Sequence, residues 1–313
     1  MRTLPAMFLV IAAACGGGGG GSTPGPTAPD PVELGADVKQ AELETTIKAL
    51  SAIPTRFTMT QGDEMARDYL VGRIQALGLT AELDPFPVQN QTANNIIVKI
   101  AGAEQPEVIY MFSAHYDSTS STPTTSAPGA DDNATGVAAV LEAARILSQH
   151  RFKHSVWLVF TAAEEQGSLG SKHLADALRA QSAQVKGVIA PDMIGYWPQG
   201  EGDKFDILGD PASKFLVDQM AAMADRMGVA NKTYINHGYC YGDDHTMFQE
   251  AGFPAISPMD CVEAHNIGGE QTPHYHQTSD TFETLNMPFT TKVAGVITAT
   301  LAELAGPLPP LTR

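Results

Sequence analysis

Two adjacent glutamates, Glu164 and Glu165, come shortly after a short apolar run, Val156 to Phe160. The run is continuous and rich in β-branched and aromatic residues, which is typical of a buried strand in a parallel sheet. Two neighbouring carboxylates repel each other and are costly to bury unless a cation compensates or one of them holds a proton. A lone pair of this kind also fits a solvated loop. With matching side chains elsewhere, Glu165 is interpreted as a metal ligand and Glu164 as a proton carrier.

Side chains of matching chemistry occur in four other segments. His115 and Asp117 follow a second apolar strand, at a spacing that lets Asp117 accept a hydrogen bond from the His115 ring. Asp132 precedes a predicted helix, where helix capping is the competing explanation. Asp192 follows a third apolar strand, and His276 lies in a stretch too polar to be core. All five segments therefore place metal-type ligands at strand ends or in loops.

These positions offer His, Asp, Glu, Asp and His, which suits two zinc ions that share one carboxylate. Zinc accepts nitrogen and oxygen ligands, and a catalytic site keeps one position for water. Two metal ions about 3.5 Å apart can acidify a water molecule between them and hold the oxygens of a tetrahedral intermediate. A glutamate beside a ligand is then within reach of that water as general base.

Six motifs resemble those of the zinc-dependent aminopeptidases with co-catalytic zinc, relatives of glutamate carboxypeptidase and glutaminyl cyclase. The resemblance runs from about Gly62 to about Leu304, and the motifs read AHYDS, PGADDNATG, TAAEEQGSLGSKHLA, PDMIGY, GDDHTMFQEAGFPAI and YHQTSDT. It implies two Zn²⁺ per chain, held by five side chains: His115, Asp132, Glu165, Asp192 and His276.

The resemblance also implies individual roles. Asp132 bridges both metals, Glu164 is general base and then acid, and Asp117 orients the ring of His115. Glu165 is grouped with His276 and Asp192 with His115, although the sequence leaves that pairing open. A cis peptide bond is implied after the bridging acid, between Asp132 and Asn133.

Two assignments stay open because the chain departs from the family pattern. The family commonly has His-Thr-Pro before an Asp-Thr pair, whereas His276 is followed here by Gln-Thr-Ser. His274, two residues earlier, is a rival ligand to His276, which we favour. A tyrosine before Asp244 should donate to the developing oxyanion, and both Tyr239 and Tyr241 fit that role.

The implied activity is that of an aminopeptidase, which releases N-terminal residues from peptides by attack of a metal-bridging hydroxide. Its substrates are peptides with a free N-terminus. Glutaminyl cyclase, with a single zinc, is the first alternative, and dipeptidase or carboxypeptidase action is a second. A non-catalytic binding relative is disfavoured, because all expected ligand positions and the base are filled.

Apolar periodicity predicts the elements that position these residues. Apolar strands alternate with helices, which predicts an α/β fold: a three-layer α/β/α sandwich with a mostly parallel mixed sheet. The predicted helices are 37–53, 62–77, 135–149, 168–180, 213–227, 244–251 and 288–304, and the predicted strands are 80–88, 95–100, 108–114, 156–160, 185–190, 205–208 and 255–257.

Charge and the N-terminus indicate where the protein works. A net charge of −16, from 19 Lys+Arg against 35 Asp+Glu, argues against nucleic acid and anionic membrane surfaces as partners. The apolar run Ala6 to Ala14 is too short to span a bilayer and is typical of a signal peptide. Residues 12–15 resemble a bacterial lipobox, which implies cleavage before Cys15 and a lipid anchor on it; ordinary cleavage and free secretion is the alternative.

The domain prediction follows from these features. Residues 1–15 form the signal peptide, residues 16–36 a flexible linker rich in Gly, Pro, Ser and Thr, and residues 37–313 the catalytic domain. We expect an exported monomer that touches the membrane only through its anchor. Export places Cys240 and Cys261 in an oxidising compartment, where a disulfide is expected and two free buried thiols are the alternative.

Overall fold

The computed structural model describes residues 27–196, 204–235, 243–260 and 272–311 of the chain. At its centre lies an eight-stranded mixed sheet, and a separate two-stranded sheet lies apart from it. The strands are β1 (Glu82–Val88), β2 (Gln91–Ile100), β3 (Gln105–His115), β4 (Arg151–Phe152), β5 (His154–Thr161), β6 (Gln184–Ile189), β7 (Lys204–Gly209), β8 (Ala230–Ile235), β9 (Ala255–Met259) and β10 (Pro307–Leu308). The order in the large sheet is β1-β2-β5-β3-β6-β9-β7-β8, and β4 pairs with β10. The four central strands, β5, β3, β6 and β9, run parallel. The predicted mostly parallel mixed sheet is therefore confirmed.

Helices cover both faces of this sheet. They are α1 (Pro31–Ala36), α2 (Gln40–Ser51), α3 (Gln61–Ala76), α4 (Ala134–Leu147), α5 (Leu169–Ala180), α6 (Lys214–Arg226), α7 (Asp244–Glu250) and α8 (Met287–Ala305). Successive residues of a strand point to opposite faces, so Phe112 of β3 joins the core under α4 and α8 while Met111 joins the core under α5 and α7. The predicted three-layer α/β/α sandwich is confirmed.

The first hairpin shows where the sequence pattern is weak. Pro85 and Pro87 predict an edge strand because proline cannot donate to a ladder, and among the described strands β1 indeed pairs with β2 alone. β2 begins at Gln91, four residues earlier than predicted, because its polar first half pairs with β1. The exposed strand β8 also lacks an apolar pattern and was not predicted.

Helix α1 corrects the predicted linker boundary, because its six residues lie inside the predicted linker 16–36. The Asp30 side chain caps it by accepting from the Val32 N–H at 2.9 Å. Leu34 is buried, and a Cβ on Gly35 would lie 2.5 Å from the carbonyl oxygen of Gly295 in α8. The packed part of the chain therefore begins before Asp37. Cys15, Cys240 and Cys261 lie outside the described residues.

Within the described ranges, no helix combines the length and the apolar character that crossing a bilayer requires.

Helix α3 begins with a buried acid. The Thr60 side chain accepts from the Asp63 N–H at 3.3 Å, and Asp63 in turn accepts from the Met59 N–H at 3.2 Å. Its other oxygen, Oδ1, is buried and has no hydrogen-bond partner in the described structure. Burial raises the pKa of Asp63 to about 7, and the nearby charge of Asp117 adds to this. An acid whose pKa is raised on folding costs stability as pH rises above its unfolded value.

The variant Asp63→Asn keeps the acceptor for Met59 and removes the titration. Wild type loses stability as the pH rises because Asp63 must ionise, whereas the variant does not. The free energy of unfolding of the variant minus that of wild type should therefore increase by about 2 to 3 kcal/mol between pH 5 and pH 8, at about 1.4 kcal/mol per pKa unit. Urea unfolding at both pH values measures this difference. Glu64→Gln is the matched control, since it changes the net charge equally at an exposed neighbour. An identical pH response in both variants would contradict the account.

Candidate metal centre

The site lies at the carboxyl ends of three neighbouring parallel strands, where ligands collect in open α/β sheets. His115 is the last residue of β3, the Glu164–Glu165 pair follows β5, and Asp192 follows β6. Asp132 stands two residues before α4. His276 comes from the loop before α8. The structure thus brings together all five predicted ligands.

The five side chains form two groups. Around His115, Nε2 lies 3.3 Å from Asp192 Oδ1 and 3.5 Å from Asp132 Oδ1. Around His276, Nε2 lies 3.3 Å from Asp132 Oδ2 and 3.2 Å from Glu165 Oε2. Tetrahedral zinc with ligands at about 2.0 to 2.1 Å holds neighbouring ligand atoms roughly 3.3 to 3.4 Å apart. The spacing therefore matches zinc coordination, and the pairing of the acids with the two histidines is the predicted one.

Asp132 belongs to both groups, because its two oxygens face different histidines. The cis peptide bond between Asp132 and Asn133 is present. Asn133 caps α4 by accepting from the Gly136 N–H at 3.0 Å, and it donates to the carbonyl of Pro191 at 2.9 Å. Helix capping, which the sequence left as the alternative to ligation at this segment, is thus performed by Asn133, the residue after the candidate ligand Asp132.

The backbone beside Asp132 is held by a buried acid further along the chain. Asp280 accepts the backbone N–H groups of Asp131 and Asp132 at 2.9 and 3.1 Å. Asp131 accepts from the N–H groups of Gly195 and Tyr196 at 2.8 and 3.0 Å, which fixes the segment after Asp192. Neither role was predicted, because both depend on contacts between distant segments.

The charge balance around the two groups calls for a cation. Burial raises the pKa values of Asp131, Asp243 and Asp280 well above the usual range of an aspartate, and neighbouring carboxylates add to each shift. Burial likewise raises the pKa of Glu165 to about 7, with Asp132 adding to it. The Oε1 atom of Glu165 is buried without a hydrogen-bond partner in the described structure. A divalent ion would supply this missing partner and charge, so the residues fit zinc.

Asp117 lies beside His115, as predicted, and also contacts the glutamate pair. Its carboxylate is 3.7 Å from His115 Nδ1, too far for a hydrogen bond, and that nitrogen instead lies 3.3 Å from the Asp117 carbonyl oxygen. The carboxylate accepts the backbone N–H groups of Glu164 and Glu165 at 3.1 and 3.2 Å. The Thr58 hydroxyl also donates to it at 3.1 Å. Asp117 therefore fixes the glutamate pair more directly than it fixes the histidine.

The two rival ligands, His274 and His276, have different surroundings. His274 Nδ1 lies 2.9 Å from the Ser279 hydroxyl, and its ring contacts Tyr196 edge-on. It is not part of either metal-type group in the described residues. Tyr275 stacks on His276 with ring centroids 3.8 Å apart, a contact that the sequence did not indicate. Tyr239 and Tyr241 lie outside the described residues.

Arg56 is a site residue that sequence reasoning missed. It is the one fully buried Lys or Arg side chain in the part of the chain that the structure describes. It donates to the carbonyls of Tyr116 and Gly129 at 2.8 and 2.9 Å, and also to those of Leu50 and Pro128. Burial lowers its pKa to about 10, while the negative charges of the site acids act in the opposite direction and raise it. The side chain is therefore charged at neutral pH. A single arginine in a polar loop segment carries no sequence signal for this role.

Comparisons with known proteins identify the family of this chain and, separately, its fold. The profile described as Peptidase family M28 matches residues 95–301. A probable zinc metalloprotease of Pyrenophora teres f. teres is 30% identical, over 86% of this chain and 67% of that protein. The structure of the LapA aminopeptidase of Legionella pneumophila aligns with a TM-score of 0.75 at 22% identity, covering 92% of this chain and 78% of that one. The structure of a glutaminyl cyclase of Fimbriiglobus ruber aligns with a TM-score of 0.72 at 17% identity, covering 90% of this chain and 99% of that one.

Replacing Arg56 by methionine should lower the free energy of unfolding by about 3 kcal/mol or more, because buried carbonyls lose their donor and the site acids lose a cation. Urea unfolding of the metal-free protein measures the loss. Arg226→Met is the control, since its salt bridge with Glu303 is exposed and should contribute less than about 1 kcal/mol. Equal losses in the two variants would contradict the role given to Arg56.

Proposed function

Because the chain belongs to peptidase family M28, we propose that it is an aminopeptidase that uses two zinc ions to release N-terminal residues from peptides. The observation that carries the proposal is the position of Asp132, whose oxygens lie 3.5 and 3.3 Å from His115 and His276. One carboxylate that is shared by two complete ligand groups suits a pair of metal ions.

The ligands divide as their distances suggest. His115, Asp132 and Asp192 would hold one zinc, and Asp132, Glu165 and His276 the other. Bound there, the ions would acidify a water molecule and polarise the carbonyl of the scissile bond. All other steps fall to side chains of the chain itself.

Glu164 is the proposed proton carrier. One of its oxygens lies within 4.8 Å of ligand atoms of His115 and Glu165, so it borders both groups. Burial raises its pKa well above the usual range, and the charges of Asp192 and Asp244 add to this while His115 opposes it. Glu164 would take a proton from the attacking water and return it to the leaving amine, and a raised pKa strengthens the carboxylate as the base in the first transfer.

The charge of the site favours a substrate with a cationic end. Buried or half-buried acids surround the two groups, with Arg56 as the buried fixed cation of the described structure. A free N-terminal amine would be attracted there and would lie close to Asp132. Donation to the oxyanion by Tyr239 or Tyr241 remains part of the proposal.

Glutaminyl cyclase activity is the alternative, since a cyclase shares this fold. Cyclisation of an N-terminal glutamine would release ammonia and no amino acid, and the related cyclases use one zinc. The ligand set alone does not separate the two activities, but the sequences from Glu164 to Ser168 and from His276 to Thr281 resemble those of the peptidases more closely.

Cellular placement is proposed from the N-terminus alone. We propose export and lipid attachment at Cys15, with a monomeric catalytic domain in the periplasm or at the cell surface. Labelling with a radioactive fatty acid in a bacterial host tests the anchor: Cys15→Ser should lose both label and membrane association, and an unlabelled wild type would indicate free secretion.

The variant Glu164→Gln should retain its zinc but lose about 10²- to 10⁴-fold in kcat, because the amide cannot accept the proton. Rates on aminoacyl anilides, with metal analysis of the same samples, measure both properties. Glu104→Gln changes an exposed glutamate on a loop and is the control. Substantial activity in Glu164→Gln would count against the proposed role.

Metal analysis should find two zinc ions per chain in wild type. His276→Ala removes a ligand of one group only, so it should retain about one zinc, whereas Asp132→Ala weakens both groups. Amino acid release from an aminoacyl anilide, together with the absence of ammonia release from an N-terminal glutamine peptide, identifies the peptidase. One zinc and ammonia release would identify the cyclase instead.

A further inference from the structure

We propose that Ser168 is a positioning residue for Glu164, an inference that rests on the proposed function. The Ser168 hydroxyl lies 3.0 Å from Glu164 Oε1 and donates to it. Ser168 itself is completely buried. Within the described residues, Glu164 Oε2 takes part in no hydrogen bond, so it is the oxygen left for the reacting water.

The backbone of Ser168 supports this role. Its φ of 52° and ψ of 40° place it in the left-handed region, which favours glycine over serine. Gly167, directly before it, also has a positive φ, of 101°. A strained non-glycine residue beside a functional group is a reason to look for a task of its side chain. Here that side chain reaches the proposed proton carrier.

Hydrogen bonds hold both the backbone and the carboxylate of Glu164. Its N–H donates to Asp117 at 3.1 Å, and its carbonyl accepts from the Ser168 N–H at 2.7 Å. The Ser168 hydroxyl then fixes the tip of the side chain. Hydrogen bonds to a charged carboxylate are stronger than those between neutral groups, and small displacements of a catalytic group are costly in rate. Ser168 therefore orients Glu164 so that its Oε2 atom faces the reacting water, and Ser168 does this without contacting substrate.

Two variants separate the hydroxyl from the backbone strain. Ser168→Ala removes the hydroxyl and keeps a left-handed non-glycine residue, whereas Ser168→Gly removes the hydroxyl and relieves the strain. Both should lose about tenfold in kcat, with KM within about twofold of wild type and zinc content unchanged. The melting temperature of Ser168→Gly should exceed that of Ser168→Ala.

Ser182 offers a matched control, because it is an exposed serine with a φ of 55°. Ser182→Gly relieves the same strain away from the site and should leave kcat unchanged. If Ser168→Gly retains the kcat of wild type, the hydroxyl has no positioning role and the inference is overturned.

Crystal structures of wild type and Ser168→Gly decide the inference independently of activity. A Glu164 carboxylate that turns or becomes disordered in the variant supports it, and an unchanged carboxylate overturns it. A wild type that is inactive on every aminoacyl substrate would overturn the proposed function, while these two structures would still test the contact.

Discussion

Repulsion among buried carboxylates is the constraint on which this structure depends. Asp132, Glu165 and Asp192 meet at the carboxyl edge of the sheet with two imidazoles and one buried guanidinium nearby. Burial of so many acids is unfavourable unless positive charge is supplied. The raised pKa values of Glu164 and Glu165 express the same imbalance. A pair of divalent ions would relieve it, and the ligand spacing of 3.2 to 3.5 Å already has the dimensions of a zinc tetrahedron.

Hydrogen bonds from the surrounding chain hold these acids in place despite their repulsion. Asp117 and Asp280 each accept two backbone N–H groups, from the glutamate pair and from the segment around Asp132 respectively. Arg56 joins the Tyr116 and Gly129 carbonyls, and so ties the strand end at His115 to the turn before Asp132. The ligands are thus positioned mainly through their backbone, which leaves their side-chain oxygens available to metal and water.

Much of this could be predicted from sequence, for a physical reason. Carboxylates and histidines directly after continuous apolar runs must lie at the edge of a parallel sheet, which is why His115 and Asp192 were identified correctly as neighbours. Arg56 and Ser168 were missed because their partners are backbone carbonyls and a carboxylate, which carry no recognisable pattern in the sequence. The hydrogen bonds from the glutamate pair to Asp117 were missed, because a spacing of two residues does not show what else a side chain contacts. Helix α1 was overlooked because its Pro and Gly resemble the linker before it.

Anomalous diffraction at the zinc absorption edge, from crystals grown with zinc, tests the central claim most directly. We expect two peaks on opposite sides of the Asp132 carboxylate, one beside His115 and the other beside His276. A single peak, or a second one away from Asp132, would contradict the shared carboxylate and the activity derived from it.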